Sequence, residues 1–202
     1  MKSFNTDNSS TTDIVAACAE TLKTPGTVLL VPTETVYGLV CDWEDDAGRN
    51  HIYELKQRDY GKPLAMFALN REMIESAGAI FSPVAEKIFN AFCPGPITMI
   101  VDGKDSVPVG FRIPDHPLIL ELLKQYGRPL ASTSANRSGE PNALTVGDAV
   151  AMLDGTPDIA VDAGEIPPES QASTVLQIKG DNWNILRPGP VTEANILEVI
   201  KA

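Results

Sequence analysis

Lys56-Gln57-Arg58-Asp59-Tyr60-Gly61-Lys62-Pro63 places Lys56, Arg58 and Lys62 within a few residues of one another. Lys and Arg at alternate positions of an extended exit segment point to one side. There a guanidinium fork and ammonium point charges can clamp a polyphosphate. The same residues also suit a plain helix end, where basic side chains complement the dipole and Gly61 to Pro63 stop the helix. Ser132-Thr133-Ser134-Ala135-Asn136-Arg137-Ser138-Gly139 follows an apolar strand end. It offers hydroxyls, an amide and a Gly that lets backbone N–H groups face phosphate or ribose oxygens, or it is a capped turn. Thr33-Glu34-Thr35-Val36-Tyr37-Gly38 crowds hydroxyls, a carboxylate and a phenol into a strand exit, where ligand sites of α/β proteins lie. An ordinary polar turn would look similar. Arg112 in Phe111-Arg112-Ile113-Pro114 and Arg187 in Leu186-Arg187-Pro188-Gly189 each end a β-like run.

Several common chemistries lack their residues. No GxxxxGK[ST] is present, no GxGxxG follows a strand, and GxSxG and HExxH are absent. Cys18, Cys41 and Cys93 are scattered without a CxxC pair, and the only histidines are His51 and His116, which argues against a zinc site. His116 has no nucleophile elbow to serve in a hydrolytic triad. The carboxylates Glu34, Asp59 and Asp115 could place a Mg²⁺ ion or pair with nearby cations.

These residues need a scaffold, and 202 residues suffice for one domain with a sizeable core. Helical spacing predicts a helix over residues 12–23, capped by Thr or Asp, and further helices over 46–57, 72–77, 83–92, 117–126, 146–153 and from 192. Strands are predicted over 27–32, 36–40, 64–69, 97–101, 130–133, 159–161, 174–179 and 183–187, with another ending at Phe111-Arg112-Ile113-Pro114. Strict alternation is missing, so the pattern implies one mixed, twisted α/β sheet and not a regular doubly wound fold. The first eleven residues read as a flexible polar N-terminus. A net charge of −11 opposes strong autonomous RNA binding, and any anionic ligand must be held by a local cluster of cations. No signal or membrane-spanning stretch is visible, so a cytoplasmic location is expected.

The segments VPTETVYGL, KQRDYGKPL, FCPGPITMI, FRIPDHP, STSANRSGEPN, STV and LRPG run collinearly from residue 31 to residue 189. Together they closely resemble the YrdC/TsaC family of threonylcarbamoyladenylate synthases. The resemblance implies a single YrdC-like domain over residues 1–202, with a twisted mixed sheet and flanking helices around a large concave cavity. It also implies synthesis of threonylcarbamoyl-AMP and pyrophosphate from L-threonine, bicarbonate and ATP, the first step of N6-threonylcarbamoyladenosine modification of tRNA. Lys56, Arg58, Ser134 and Asn136 match the family's KxR…SxN signature, which implies catalytic roles for Lys56 and Arg58. By the same resemblance Arg58, Lys62, Ser134, Asn136, Asn142 and Arg187 bind ATP. Thr33 or Thr35, Arg112, Ser132 and Ser173 bind threonine, with Arg112 on its carboxylate. Mg²⁺ is implied with ATP, without an assigned protein ligand. Threonylcarbamoyl-transfer proteins that act on tRNA are the implied downstream partners. Phe67 stands where longer members carry a threonine-contacting His, and Asn142 where Ser is common. The chain ends soon after LRPG, as expected of the single-domain form. The alternatives are an RNA-binding module and another protein that handles carbamoyl adenylates on the same fold.

Overall fold

This computed structural model describes residues 1–201. In chain order the elements are β1 (Lys2–Asn5), α1 (Thr11–Thr21), β2 (Leu29–Val31), β3 (Gly38–Asp42), α2 (Asp46–Lys56) and β4 (Ala65–Phe67). Then come α3 (Arg71–Ser76), α4 (Pro83–Phe92), β5 (Ile97–Val101), a 3₁₀ turn at Lys104–Ser106, β6 (Val109–Arg112), α5 (Pro117–Tyr126) and β7 (Leu130–Ser134). The chain closes with α6 (Val146–Met152), β8 (Ile159–Asp162), β9 (Thr174–Lys179), β10 (Asn182–Arg187) and α7 (Glu193–Lys201).

The strands form one sheet in the order β1-β8-β2-β3-β7-β4-β6-β5-β9-β10. Pairing is mixed: β3 runs antiparallel to β7, β4 parallel to β6, and β5 parallel to β9. The α/β sheet expected from the imperfect alternation is therefore present. Long-range pairing sets neighbours far apart in sequence side by side, so β7 lies between β3 and β4.

Helix α1 shows how apolar spacing becomes packing. Ile14, Val15, Cys18 and Ala19 recur at helical spacing and are buried against a cluster that includes Leu118, Ile119 and Leu122 of α5. Each fully buried aliphatic side chain contributes about 1.5–3 kcal/mol. The cap is Ser10, whose Oγ accepts from the Asp13 N–H at 3.1 Å, and not the expected Thr or Asp.

The N-terminus corrects an expectation. Residues 1–11 are not a free polar tail: Lys2–Asn5 pairs parallel with Ile159–Asp162 of β8. The Lys2 N–H donates to Asp158 O at 2.7 Å and the Thr6 N–H to Asp162 O at 2.9 Å. Phe4 packs on the adjoining apolar cluster. The segment is held by backbone groups of a sheet edge that need partners, a drive that side-chain pattern does not record.

Candidate active site

One cavity of about 570 Å³ lies against the middle and later strands of the sheet. Two serines two residues apart on β7, Ser132 and Ser134, project from the same face, as strand periodicity requires. The loop after β2 brings in Thr33 and Thr35, the end of β6 brings Arg112, and the end of β10 brings Arg187. Ser173 enters just ahead of β9, where its Oγ shares a hydrogen bond of 2.7 Å with Thr98 Oγ1 of β5. Residues spread from position 33 to position 187 thus share one wall, because the sheet order makes their strands neighbours.

Eight of the twelve residues expected at the site line the cavity: Thr33, Thr35, Arg58, Arg112, Ser132, Ser134, Ser173 and Arg187. The wall does not include Lys56, Lys62, Asn136 or Asn142. Lys62 has an exposed side chain and lends its backbone carbonyl to Arg58 Nε at 3.1 Å. Asn136 is buried; its Nδ2 donates to Glu140 O, and its Oδ1 accepts from the Ser134 hydroxyl. Asn142 is half-buried on the segment before α6.

Lys56 departs most from expectation. It does not point to the same side as Arg58, because Gln57 between them adopts the left-handed conformation with φ 48° and ψ 47°. That turn ends α2 and breaks the alternation of an extended strand. Lys56 is 1% exposed, and its Nζ donates to Ser134 O, Asn136 O and Asn136 Oδ1. Burial, then the nearby Arg58 charge, pushes its amine down to about 7, while the three oxygens favour the ammonium. Arg58 turns the other way, onto the cavity wall.

The Thr33–Thr35 loop is locked by its own hydroxyls. Thr33 Oγ1 donates to Val36 O at 2.6 Å, so its single proton is spent and Thr35 Oγ1 donates to it at 2.9 Å. Thr35 Oγ1 in turn accepts from Arg112 Nη1 at 3.0 Å. Arg112 is 4% exposed and is paired with Glu34 at 2.5 Å. Of the carboxylates left open by the sequence, Glu34 is thus a cation's partner, while Asp59 Oδ1 accepts from the Gly61 N–H in its own turn.

Arg187 reaches the cavity through a close backbone approach at Gly189, where a Cβ would stand 2.5 Å from the Thr174 nitrogen and 2.6 Å from Ala172 O. Its Nε and Nη2 donate to Ser173 O at 3.1 and 2.7 Å. Burial lowers the Arg187 pKa, and the Arg112 and Arg58 charges lower it further. Guanidiniums stay charged near neutrality, so this crowding describes a site whose cations would be relieved by an anion. His116 is not on this wall, and its buried Nδ1 has no hydrogen-bond partner among the described residues, so it forms no triad with the serines there.

The family model described as "Sua5_yciO_yrdC: Telomere recombination" matches residues 21–189. The chain belongs to the Sua5/YciO/YrdC family. It is similar to the threonylcarbamoyl-AMP synthase of Bacillus subtilis, 34% identical over 96% of this chain and 59% of that protein. It is also similar to the putative threonylcarbamoyl-AMP synthase of Methanocaldococcus jannaschii, 31% identical over 82% of this chain and 81% of the relative. The crystal structure of P. abyssi Sua5 complexed with L-threonine superposes with a TM-score of 0.84, at 28% identity, over 98% of this chain and 60% of that one. This chain therefore spans about three fifths of the Bacillus and P. abyssi proteins.

Sequence reasoning missed Thr98 and the anchoring contact of Tyr37, whereas Phe67 is already marked in the sequence as a departure from the family pattern. Thr98 was only part of a predicted strand, yet it pairs with Ser173 on the wall. Tyr37 is 1% exposed, and its hydroxyl donates to Gly164 O at 2.6 Å, anchoring the loop that carries Thr33 and Thr35. A phenol between a buried strand and a Gly was the only available signal. Phe67, at the end of β4, lines the cavity with its ring centroid 5.8 Å from the Arg112 guanidinium.

Proposed function

We propose that this chain is a threonylcarbamoyl-AMP synthase. The observation that carries the reading is one cavity lined by three guanidiniums, Arg58, Arg112 and Arg187, together with the hydroxyls of Thr33, Thr35, Ser132, Ser134 and Ser173. That wall suits two anions, a small carboxylate and a triphosphate, as the relatives' synthase activity requires. L-Threonine is held by Arg112 through its carboxylate, as the resemblance implies, with the hydroxyls of Thr33, Thr35, Ser132 and Ser173 nearby. Arg58, Arg187 and Ser134 hold the ATP phosphates, and the resemblance adds Lys62 and Asn142.

The chemistry needs no protein nucleophile. The amine of threonine combines with bicarbonate, giving a carbamate and water. A carbamate oxygen then attacks the α-phosphorus of ATP, the bond to the β-phosphate oxygen breaks, and pyrophosphate leaves with that electron pair. Fixed cations stabilise the charge that develops, and a partly enclosed cavity protects the labile carbamate and mixed anhydride. Lys56 acts by holding the backbone of Ser134 and Asn136 in place, so it is a positioning residue. Among the described residues no group of three or more His, Cys, Asp and Glu could cage a metal. Mg²⁺ would enter with ATP, bound to its phosphate oxygens.

The product is destined for transfer proteins acting on tRNA, and the chain works in the cytoplasm with them. No helix among the described residues is long and apolar enough to cross a membrane. RNA binding by the chain alone is weak and salt-dependent, because a net charge of −11 leaves the cavity cations as its main footing. Pyrophosphate release that requires both L-threonine and bicarbonate is the expected result. Release with either one omitted, or none with all present, overturns the reading.

A further inference from the structure

The Arg112 guanidinium is held on three sides before any ligand arrives. Nε donates to Gly95 O at 3.1 Å, Nη1 to Thr35 Oγ1 at 3.0 Å and Nη2 to Glu34 Oε1 at 2.5 Å. An arginine has five N–H donors, so one remains on each terminal nitrogen, and a carboxylate can take such a pair. The same Glu34 oxygen accepts from the Asp115 N–H at 2.9 Å. One atom therefore ties the loop after β2 to the segment that follows β6. The cavity wall is formed by its neighbours Thr33 and Thr35 and does not include Glu34. Glu34 thus meets the guanidinium without being part of the cavity lining.

We infer that Glu34 is the positioning residue for the amino-acid carboxylate: it fixes the orientation of the Arg112 fork and does not touch the substrate. This deepens the synthase reading and rests on it. Two effects of the Glu34 carboxylate oppose each other. Its charge weakens the positive field that an incoming carboxylate meets, so a mere resident competitor would tighten amino-acid binding when removed. Its hydrogen bonds hold a long side chain that otherwise rotates, so a positioning residue weakens binding when removed. Orientation dominates here because two N–H groups must be aimed together for a bidentate grip, and a buried site gives the loosened arginine few other partners.

The test measures pyrophosphate release against L-threonine and ATP for the wild type, Glu34→Ala, Glu34→Gln, Arg112→Ala and the Glu34→Ala/Arg112→Ala double variant. Glu34→Ala is expected to raise the KM for L-threonine about tenfold, equivalent to about 1.4 kcal/mol, with kcat and the KM for ATP within about twofold of wild type. Glu34→Gln keeps an oxygen acceptor for both N–H groups and should recover most of the loss. In the Arg112→Ala background, Glu34→Ala should add nothing further, since it acts through the missing side chain. A lower KM in either single variant, an unchanged KM in Glu34→Ala, or an equal further loss in the double variant overturns the inference. If Glu34→Ala does not fold, Glu34→Leu, which removes the acceptor but fills the space, takes its place: a raised KM for L-threonine supports positioning, and no change or a fall overturns it. Wild-type protein without pyrophosphate release would sink the synthase reading instead. Titrating L-threonine calorimetrically into the same variants then answers the Glu34 question, and wild type that binds no L-threonine overturns both.

Discussion

The Arg112 region and the region of Arg58 and Arg187 hold positive charge in different ways. Arg112 is buried and meets a carboxylate, a hydroxyl and a carbonyl, so much of its charge is answered inside the protein. Arg58 rests on the carbonyl oxygens of Lys62 and Pro63 at 3.1 and 3.2 Å, and Arg187 on the carbonyl of Ser173. Among the described residues neither has an ion-pair partner. Carbonyls orient a guanidinium without neutralising it. The site therefore combines a prealigned, partly compensated arginine with two uncompensated ones. A small rigid carboxylate gains most from alignment, and a flexible triphosphate gains most from net charge. A protein carrying 27 acidic against 16 basic residues can still be cationic where it works.

The comparison breaks most readily at Arg58. Arg58→Ala should cost roughly 2–4 kcal/mol in the transition state, a fall of about 30- to 900-fold in kcat, because it removes a charge-stabilising donor. The KM for L-threonine and the melting temperature should hardly move, since Arg58 is anchored on its own exit loop. Near-normal turnover would remove this region from the reaction. Arg112→Ala should have the next effect, about 1.5–3 kcal/mol expressed mainly in the KM for L-threonine. It should also lower the melting temperature, because Glu34 loses its partner. If the KM for ATP rises instead, the two regions have been given each other's ligands.

What the sequence revealed differs between these regions for physical reasons. Pro and Gly punctuation marked α4, β5, α5 and β9, and the predicted spans 83–92, 97–101, 117–126 and 174–179 match them. The KSFN strand carries one large apolar residue and is held through its backbone, so pattern could not show it. The hydroxyl-rich strand exits were legible as chemistry because such residues cluster where strands end. Lys56 was misplaced because the alternation argument assumes extended backbone, whereas a left-handed Gln57 caps α2 with local bonds, the Arg58 N–H donating to Tyr53 O at 2.9 Å. Which carboxylate would pair with Arg112 was also hidden, because Glu34 and Arg112 meet only through sheet order.

Lys56 sharpens the contrast by showing a cation used for scaffolding. Its pKa in the folded protein is about 7, below the ordinary value of 10.5. Between those values the unfolded chain binds more protons, so stability should rise with pH from 7 towards 10.5; below pH 7 the cost of burying the charge is fully present. The slope from this one group is at most about 1.4 kcal/mol per pH unit. Urea unfolding of wild type and Lys56→Met at pH 7 and pH 9 should show the larger gain with pH in the wild type. Equal gains would mean that Ser134 and Asn136 hold the ammonium strongly enough to offset its burial.

The smallest expected effect concerns the amino-acid side chain and tests whether the Arg112 region reads shape as well as charge. Phe67 is 6% exposed and lies over the same guanidinium, so an amino acid gripped by Arg112 carries its side chain within reach of an apolar ring. Threonine differs from serine by one methyl, and burying one such group is worth about 0.8 kcal/mol, or about fourfold in kcat/KM. That is far below the charge effects at Arg58, because a methyl gains only from leaving water. The informative quantity is the ratio of kcat/KM for the two amino acids, since a general loss of activity cancels in it. Phe67→Ala should bring that ratio from about four towards one, while the Arg112 fork keeps both substrates oriented. A ratio near one in the wild type would show that no apolar wall meets the methyl. A ratio unchanged by Phe67→Ala would move that wall to another residue of the cavity, with Val36 on the β2–β3 loop the next to test.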